Sequence, residues 1–167
     1  EKKDKIRFVY AGGPGWKDYI KEIVHGFSLL SSEELSSLEL HLVGITKEQL
    51  ITLCRVDETH VQKMGESLVA HGRVPHAEAV EWVKNADFTL LLRDASLRYA
   101  KAGFPTKIVE SLSCGTPPVC NLSSDLGLYL QDGVNAFIAK DHSPDALCAA
   151  LRKATATSVE ERKAMRG

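Results

Sequence analysis

With 167 residues, 44% hydrophobic and 26% charged, the chain has the size of one domain and enough apolar material for one buried core. Its 21 basic and 22 acidic side chains nearly cancel, so no basic excess marks nucleic acid or an anionic membrane as its main partner. The longest apolar runs, such as Phe88 to Leu92, fall far short of the roughly 20 residues of a membrane-spanning helix, and the polar start Glu1 to Lys5 has no signal-peptide character.

In chain order, short β-rich runs alternate with helical patterns. Ile6 to Ala11 reads as a buried strand that ends at Gly12-Gly13. Lys17 to Leu30 is predicted helical, with Ile20, Ile23, Val24 and Phe27 at helical spacing. Leu38 to Val43 is a second strand closed by Gly44, and Lys47 to Leu53 a short helix. Ser67 to His71 is a third strand, followed by Gly72, and Ala77 to Ala86 a helix with Ala79, Val80 and Val83 on one face. Asp87 to Leu92 is a fourth strand, Pro105 to Ser113 a helix and Pro118 to Asn121 a fifth strand. A short helix over Ser124 to Leu130, a sixth strand over Ala136 to Ala139, a helix over Pro144 to Ala154 and a last helix from Val159 complete the reading.

Strands separated by helices need crossover connections and therefore pair in parallel. Their near-continuous apolar character fits burial on both faces. The expectation is an α/β, Rossmann-like, doubly wound and mostly parallel six-stranded sheet, one domain over residues 1–167. Ligands of such sheets sit at the carboxyl ends of the strands, so the loops after Ala11, Gly44, His71, Leu92 and Asn121 carry the functional candidates. The four cysteines (Cys54, Cys114, Cys120, Cys148) form no C-x-x-C pair and read as plain thiols. His25, His41, His60, His71 and His142 have no partners at metal spacing and read as structural or surface residues.

In the first loop, Gly12 and Gly13 permit close backbone approach, and Lys17 adds a charge at a helix start, where an anion is favoured. The plainer alternative is a turn that needs glycine. The loop is not G-x-G-x-x-G, which argues against the usual dinucleotide fingerprint. In Ala102-Gly103-Phe104-Pro105-Thr106-Lys107-Ile108-Val109-Glu110, Pro105 suits a first helical position. The N–H groups of Thr106, Lys107 and Ile108 then point outward toward a diphosphate. Glu110 shares a face with Thr106, placed to accept from two ribose hydroxyls, or else to pair with Lys107 on the surface. Ile108, Val109 and Leu112 are expected to form the apolar face beneath. Arg93 and Arg98 follow the fourth strand as phosphate candidates or as solvated arginines. Arg73 and Val74 lie after the third strand, where a base would find backbone amides and an apolar wall. His76 reads as a helix-start residue rather than a general base.

Three stretches together, YAGGPGWKD, HGRVPHAEAVEWVKNADFTLLLR and AGFPTKIVESLSCGTPPVCN, followed by SSDLGLYLQDGVNAF, resemble the donor-binding half of the retaining B-fold glycosyltransferases, the "group 1" family that includes sucrose and trehalose synthases. The resemblance covers nearly the whole chain. It implies one half of a GT-B fold. It also implies that Glu110 binds the donor ribose, that Thr106, Lys107 and Ile108 hold the diphosphate by their backbone, that Lys17 reaches the diphosphate, and that Arg73 and Val74 flank the base. Two positions depart from the family pattern. Ala102 stands where the first glutamate of the family's pair is expected, and Gly13 stands where an arginine is common.

The resemblance further implies a parent enzyme that moves a hexosyl group from a UDP- or GDP-sugar substrate to an acceptor hydroxyl with retention, in polysaccharide or glycoconjugate biosynthesis. Its catalytic residues would lie in a separate N-terminal acceptor domain absent from this chain, which alone would be inactive. No metal or other cofactor is expected. The partners are the nucleotide-diphospho-sugar donor and that acceptor domain, with no nucleic acid. The location is cytoplasmic, and contact with the inner face of a membrane is open only to the missing half. Competing readings are a nucleotide-sugar epimerase-like domain, a non-catalytic nucleotide-sugar-binding subunit favoured by Ala102, and a nicotinamide-binding domain. The last is disfavoured by Gly44 at the end of the second strand, where an acidic residue would be needed.

Overall fold

The strand runs pair as the alternation requires. The computed structural model describes residues 5–14, 19–94, 106–122 and 126–166. Six strands, β1 (Ile6–Ala11), β2 (Leu38–Val43), β3 (Leu68–Gly72), β4 (Phe88–Leu91), β5 (Pro118–Asn121) and β6 (Phe137–Ala139), form one sheet in the order β3-β2-β1-β4-β5-β6. Every strand pair is parallel, so the expected "mostly parallel" sheet is parallel throughout. The chain switches direction across the sheet between β1 and β4, where such a fold leaves a crevice at the strand carboxyl ends.

Alternation within β1 sends Phe8 and Tyr10 to one face and Val9 and Ala11 to the other. The first face is covered by α1 (Ile20–Ser28), α4 (Glu58–Met64) and α7 (Pro144–Thr155). Ile20, Ile23, Val24 and Phe27 of α1 are all buried there, and Phe8 packs edge-on to Phe27 and stacks on Phe88 at centroid distances of 5.3 and 5.4 Å. Each such fully buried side chain contributes roughly 1.5–3 kcal/mol of apolar burial. The other face carries α5 (His76–Lys84) over β1 and α6 (Thr106–Ser113) over β4 and β5.

Two short helices escaped the sequence reading, α2 (Ser32–Leu35) and α4; α3 (Lys47–Thr52) and α8 (Val159–Arg166) fall as expected. Ser31 and Glu34 form a capping box for α2, and Asp57 caps α4. The helix expected over Ser124 to Leu130 is a single 3-10 turn at Leu126–Leu128, and residues 123–125 lie outside the described ones. The helix expected from Lys17 is described from Ile20.

α5 and α6 are tied to the sheet by a buried hydroxyl chain. Thr89 Oγ1 lies 2.6 Å from Ser111 Oγ, which donates to the Thr116 carbonyl at 2.5 Å; Thr116 Oγ1 in turn donates to the Val83 carbonyl at 2.8 Å. Arg166 caps the end of α5 by donating to the carbonyls of Ala86 and Lys84.

Candidate functional site

The carboxyl ends of β1, β2 and β3 are laced by backbone bonds: Gly12 N–H donates to Val43, Gly44 N–H to Gly72 and Gly72 N–H to Ile45. Gly44 (φ +112°) and Gly72 (φ +70°) hold left-handed conformations that suit glycine. The lacing packs the first loop on the second and leaves Gly12 facing the side chain of Lys107.

At that position, on the β1–β4 switch, a cavity of about 420 Å³ opens between α5 and α6. Its volume is in the range that small-ligand sites occupy. Ala11 and Gly12 form one end, His76, Ala79, Val80 and Val83 the α5 wall, and Thr106, Lys107, Val109, Glu110, Ser113 and Cys114 the α6 wall. Thr106 is the first described residue of α6, so this end of the cavity lies at the positive end of the helix dipole. The Lys107 ammonium lies 5.6 Å from the Tyr10 ring centroid, and its side chain runs so close to Gly12 that a Cβ there would meet Lys107 Cε at 2.7 Å. Glu110, one turn along, is exposed on the same wall. The cavity therefore combines a cation and a helix start at one end, a carboxylate beyond them and an apolar slope on α5. That combination suits an anion joined to a hydroxylated, flat group.

Of the sequence-derived candidates, Gly12, Thr106, Lys107 and Glu110 come together around this cavity. Gly13 is an exposed loop residue beside it. Ile108 is buried against the sheet, with only its backbone on the helix start. Arg73 is exposed, and Val74 is half-buried against the Val9, Val43 and Val83 cluster. Neither lines the cavity. Arg93 is half-buried beyond β4, its backbone N–H and carbonyl both bonded to the Asn121 amide at 2.9 and 2.5 Å. Lys17, Arg98, Ala102 and Pro105 lie outside the described residues. One expectation is corrected: Val109 does not lie in the apolar face beneath α6 but is 48% exposed on the cavity wall, because α6 turns Ile108, Ser111 and Leu112 toward the sheet.

Two contributors were missed. Asn121, buried at the end of β5, fixes the loop after β4, and its signal was a polar residue closing an apolar strand. Cys114 is half-buried on the cavity floor. Cys120 is buried in β5 in the cluster of Leu91 and Ile108, and burial pushes its thiol up to about 12. Among the described residues, no three His, Cys, Asp or Glu side chains gather as a metal site, and no helix is long and apolar enough to cross a membrane.

A parallel 3-2-1-4-5-6 sheet with a cation-bearing cavity at its switch point defines a Rossmann-like ligand-binding domain. The family model for glycosyl transferases group 1 matches residues 1–166, and the chain belongs to that family. The fold is shared with the C-terminal domain of the group 1 protein LpcC from Francisella tularensis, with a TM-score of 0.76 and 12% identity over 98% of this chain and 81% of that one. HepE from Anabaena, solved in complex with UDP and glucose, gives 0.72 and 12% over 98% of this chain and 42% of HepE. Sucrose-phosphate synthase from Thermosynechococcus elongatus gives 0.72 and 16% over 98% of this chain and 39% of the synthase. The chain thus spans about two-fifths of those two relatives and corresponds to one half of a GT-B fold. No curated protein matches it in sequence.

Proposed function

We propose that this chain binds the nucleotide-diphospho-sugar donor of a glycosyltransferase in the cavity between α5 and α6. The observation that carries the reading is the placement of Lys107 and Glu110 on one wall, opposite Gly12 and beside the start of α6. Lys107 and the helix-start amides would hold the diphosphate and stabilise it as a leaving group, while Glu110 would accept from the ribose hydroxyls. Membership of group 1 and the UDP and UDP-glucose complexes of HepE support this assignment.

In the proposed whole enzyme, a hexosyl group passes to an acceptor hydroxyl with retention, on the cytoplasmic side, in glycoconjugate or polysaccharide synthesis. An N-terminal domain would supply the acceptor site, and closure of the two halves would exclude water. Fixed positive groups would take the place of a metal ion. A non-catalytic donor-binding role is a second reading, favoured by Ala102 at the position of the family's first glutamate.

Calorimetric titration with UDP, GDP and ADP tests the proposal. Saturable binding of one of them, weakened at least about tenfold by Glu110→Ala, is expected, since a charged hydrogen bond contributes about 1.5–3 kcal/mol. An unaltered affinity in the variant would remove Glu110 from the site.

A further inference from the structure

His41 and His71, expected as structural or surface residues, are brought together by the fold on the face of the sheet that α5 covers. His71 stands two residues beyond Val69, the register partner of His41, so both imidazoles lie on the α5 face of the sheet. His41 Nδ1 and His71 Nε2 are 2.8 Å apart; Trp82 of α5 stacks on the His41 ring at a centroid distance of 4.7 Å and lies tilted against the His71 ring at 4.4 Å. Arg7 of β1 places its guanidinium 5.2 Å from the Trp82 ring centroid.

The pair touches both structures that bound the cavity. His71 precedes Gly72, whose carbonyl accepts from Gly44, and Gly44 is packed on Gly12 at the cavity end. Trp82 is the neighbour of Val83, which lines the α5 wall.

The hydrogen bond between the rings needs one facing nitrogen to donate and the other to accept. Glu39 Oε1, 3.4 Å from His41 Nε2, assigns the His41 hydrogen to that nitrogen, so His71 Nε2–H donates to His41 Nδ1. A first added proton fits on Nδ1 of His71 and leaves the bond intact. A second puts hydrogen on both facing nitrogens and breaks it. Burial is the main influence holding both imidazoles below the ordinary histidine range. Arg7 acts in the same direction on both, Glu39 opposes it at His41, and Glu78 from α5 opposes it at His71. Glu81 shares the small cleft beside Arg7 and Trp82.

We infer that His41 and His71 are positioning residues for the donor cavity, a proton-sensitive clasp whose opening in acid lowers nucleotide-sugar affinity. The inference rests on the donor-binding reading above. Because both groups are held neutral in the fold, their contribution is complete above the ordinary histidine value of about 6.5 and is lost as the pH falls through the lower folded values.

The test compares this chain with the His41→Gln/His71→Gln variant by two readouts across about pH 5 to 8. One is the melting temperature without ligand. The other is the affinity for UDP-glucose, or for GDP- or ADP-glucose where the titration above selects that base; the diphosphate of each has no group that ionises in that range. The loss of affinity on acidification is expected to be at least about fivefold greater in the unaltered chain than in the variant, with a correspondingly steeper fall in its melting temperature. Equal pH dependence of affinity in the two proteins overturns the inference. No binding of UDP-, GDP- or ADP-glucose at any pH overturns the donor reading and the affinity half of the inference with it, while the melting curves still decide the clasp. If the double variant does not fold, His71→Gln alone carries both comparisons.

Discussion

The backbone of Gly12 occupies the space that a side chain on Gly44 would need: a Cβ at Gly44 would collide with the Gly12 carbonyl. Gly44 also sits at φ +112°, so an L side chain there is strained as well as blocked. Gly44→Ala is therefore expected to cost about 1–3 kcal/mol in urea unfolding. Gly13→Ala, where nothing among the described residues lies within 4 Å of a Cβ, is expected to stay within about 0.5 kcal/mol. Equal stability of the two variants would contradict the lacing of the strand ends.

Gly12→Ala should separate binding from folding. Its Cβ would meet the flexible end of Lys107 and the Tyr10 hydroxyl at 2.7 and 2.9 Å, so the lysine must swing away and the buried Tyr10 ring must give slightly while the backbone stays. Nucleotide diphosphate affinity is expected to fall about tenfold, as on loss of a charged hydrogen bond. The melting temperature should hold within about 2 °C. Lys107→Met should reproduce the loss in calorimetry, and the two effects should not add, because both act through the same ammonium.

Thiol labelling should distinguish Cys114 from the other three cysteines. Cys54, Cys120 and Cys148 are buried, and burial raises the thiols of Cys120 and Cys148, whereas Cys114 is half-buried on the cavity floor. Iodoacetamide is expected to modify Cys114 alone in the folded chain and all four cysteines in denaturant, as read by mass spectrometry. A bound nucleotide should slow the modification of Cys114. Labelling of Cys120 at the same rate as Cys114 would contradict the packing of the sheet behind the cavity.

Ser111→Ala should be costly although it removes one oxygen. Ser111 bridges Thr89 and the Thr116 carbonyl, and all three residues are buried. The substitution leaves a buried hydroxyl and a buried carbonyl short of a partner, which costs about 1–3 kcal/mol in chemical denaturation.

The strands were legible because apolar runs end at residues whose backbone role is visible, Gly12, Gly44 and Gly72. The boundary at Ser67 moved because its hydroxyl donates to the Leu35 carbonyl, a contact made across the fold. The boundary at Asp87 moved because its carboxylate accepts from the Arg7 N–H. α4 was missed because only Met64 of its seven residues is buried, which leaves no apolar period to read. Its cap Asp57 and the Ser31–Glu34 box were the available signals. The cavity wall was legible at Thr106 and Glu110, which share a helix face by spacing. The hydrogen bond between His41 and His71 was not, since it depends on how β3 registers on β2 and on a bulge between Leu42 and Val43.

The switch in strand order has a further consequence, for the order in which the chain is made. β2 and β3 can join β1 as soon as they leave the ribosome, but β4 must reach back about 80 residues to lie beside it. Gly12 and Glu110 meet only after that return, so the cavity cannot form on a nascent chain that ends before α6. A ribosome-stalled series cut between Leu91 and Thr116 would place the onset of ligand binding after the onset of sheet formation.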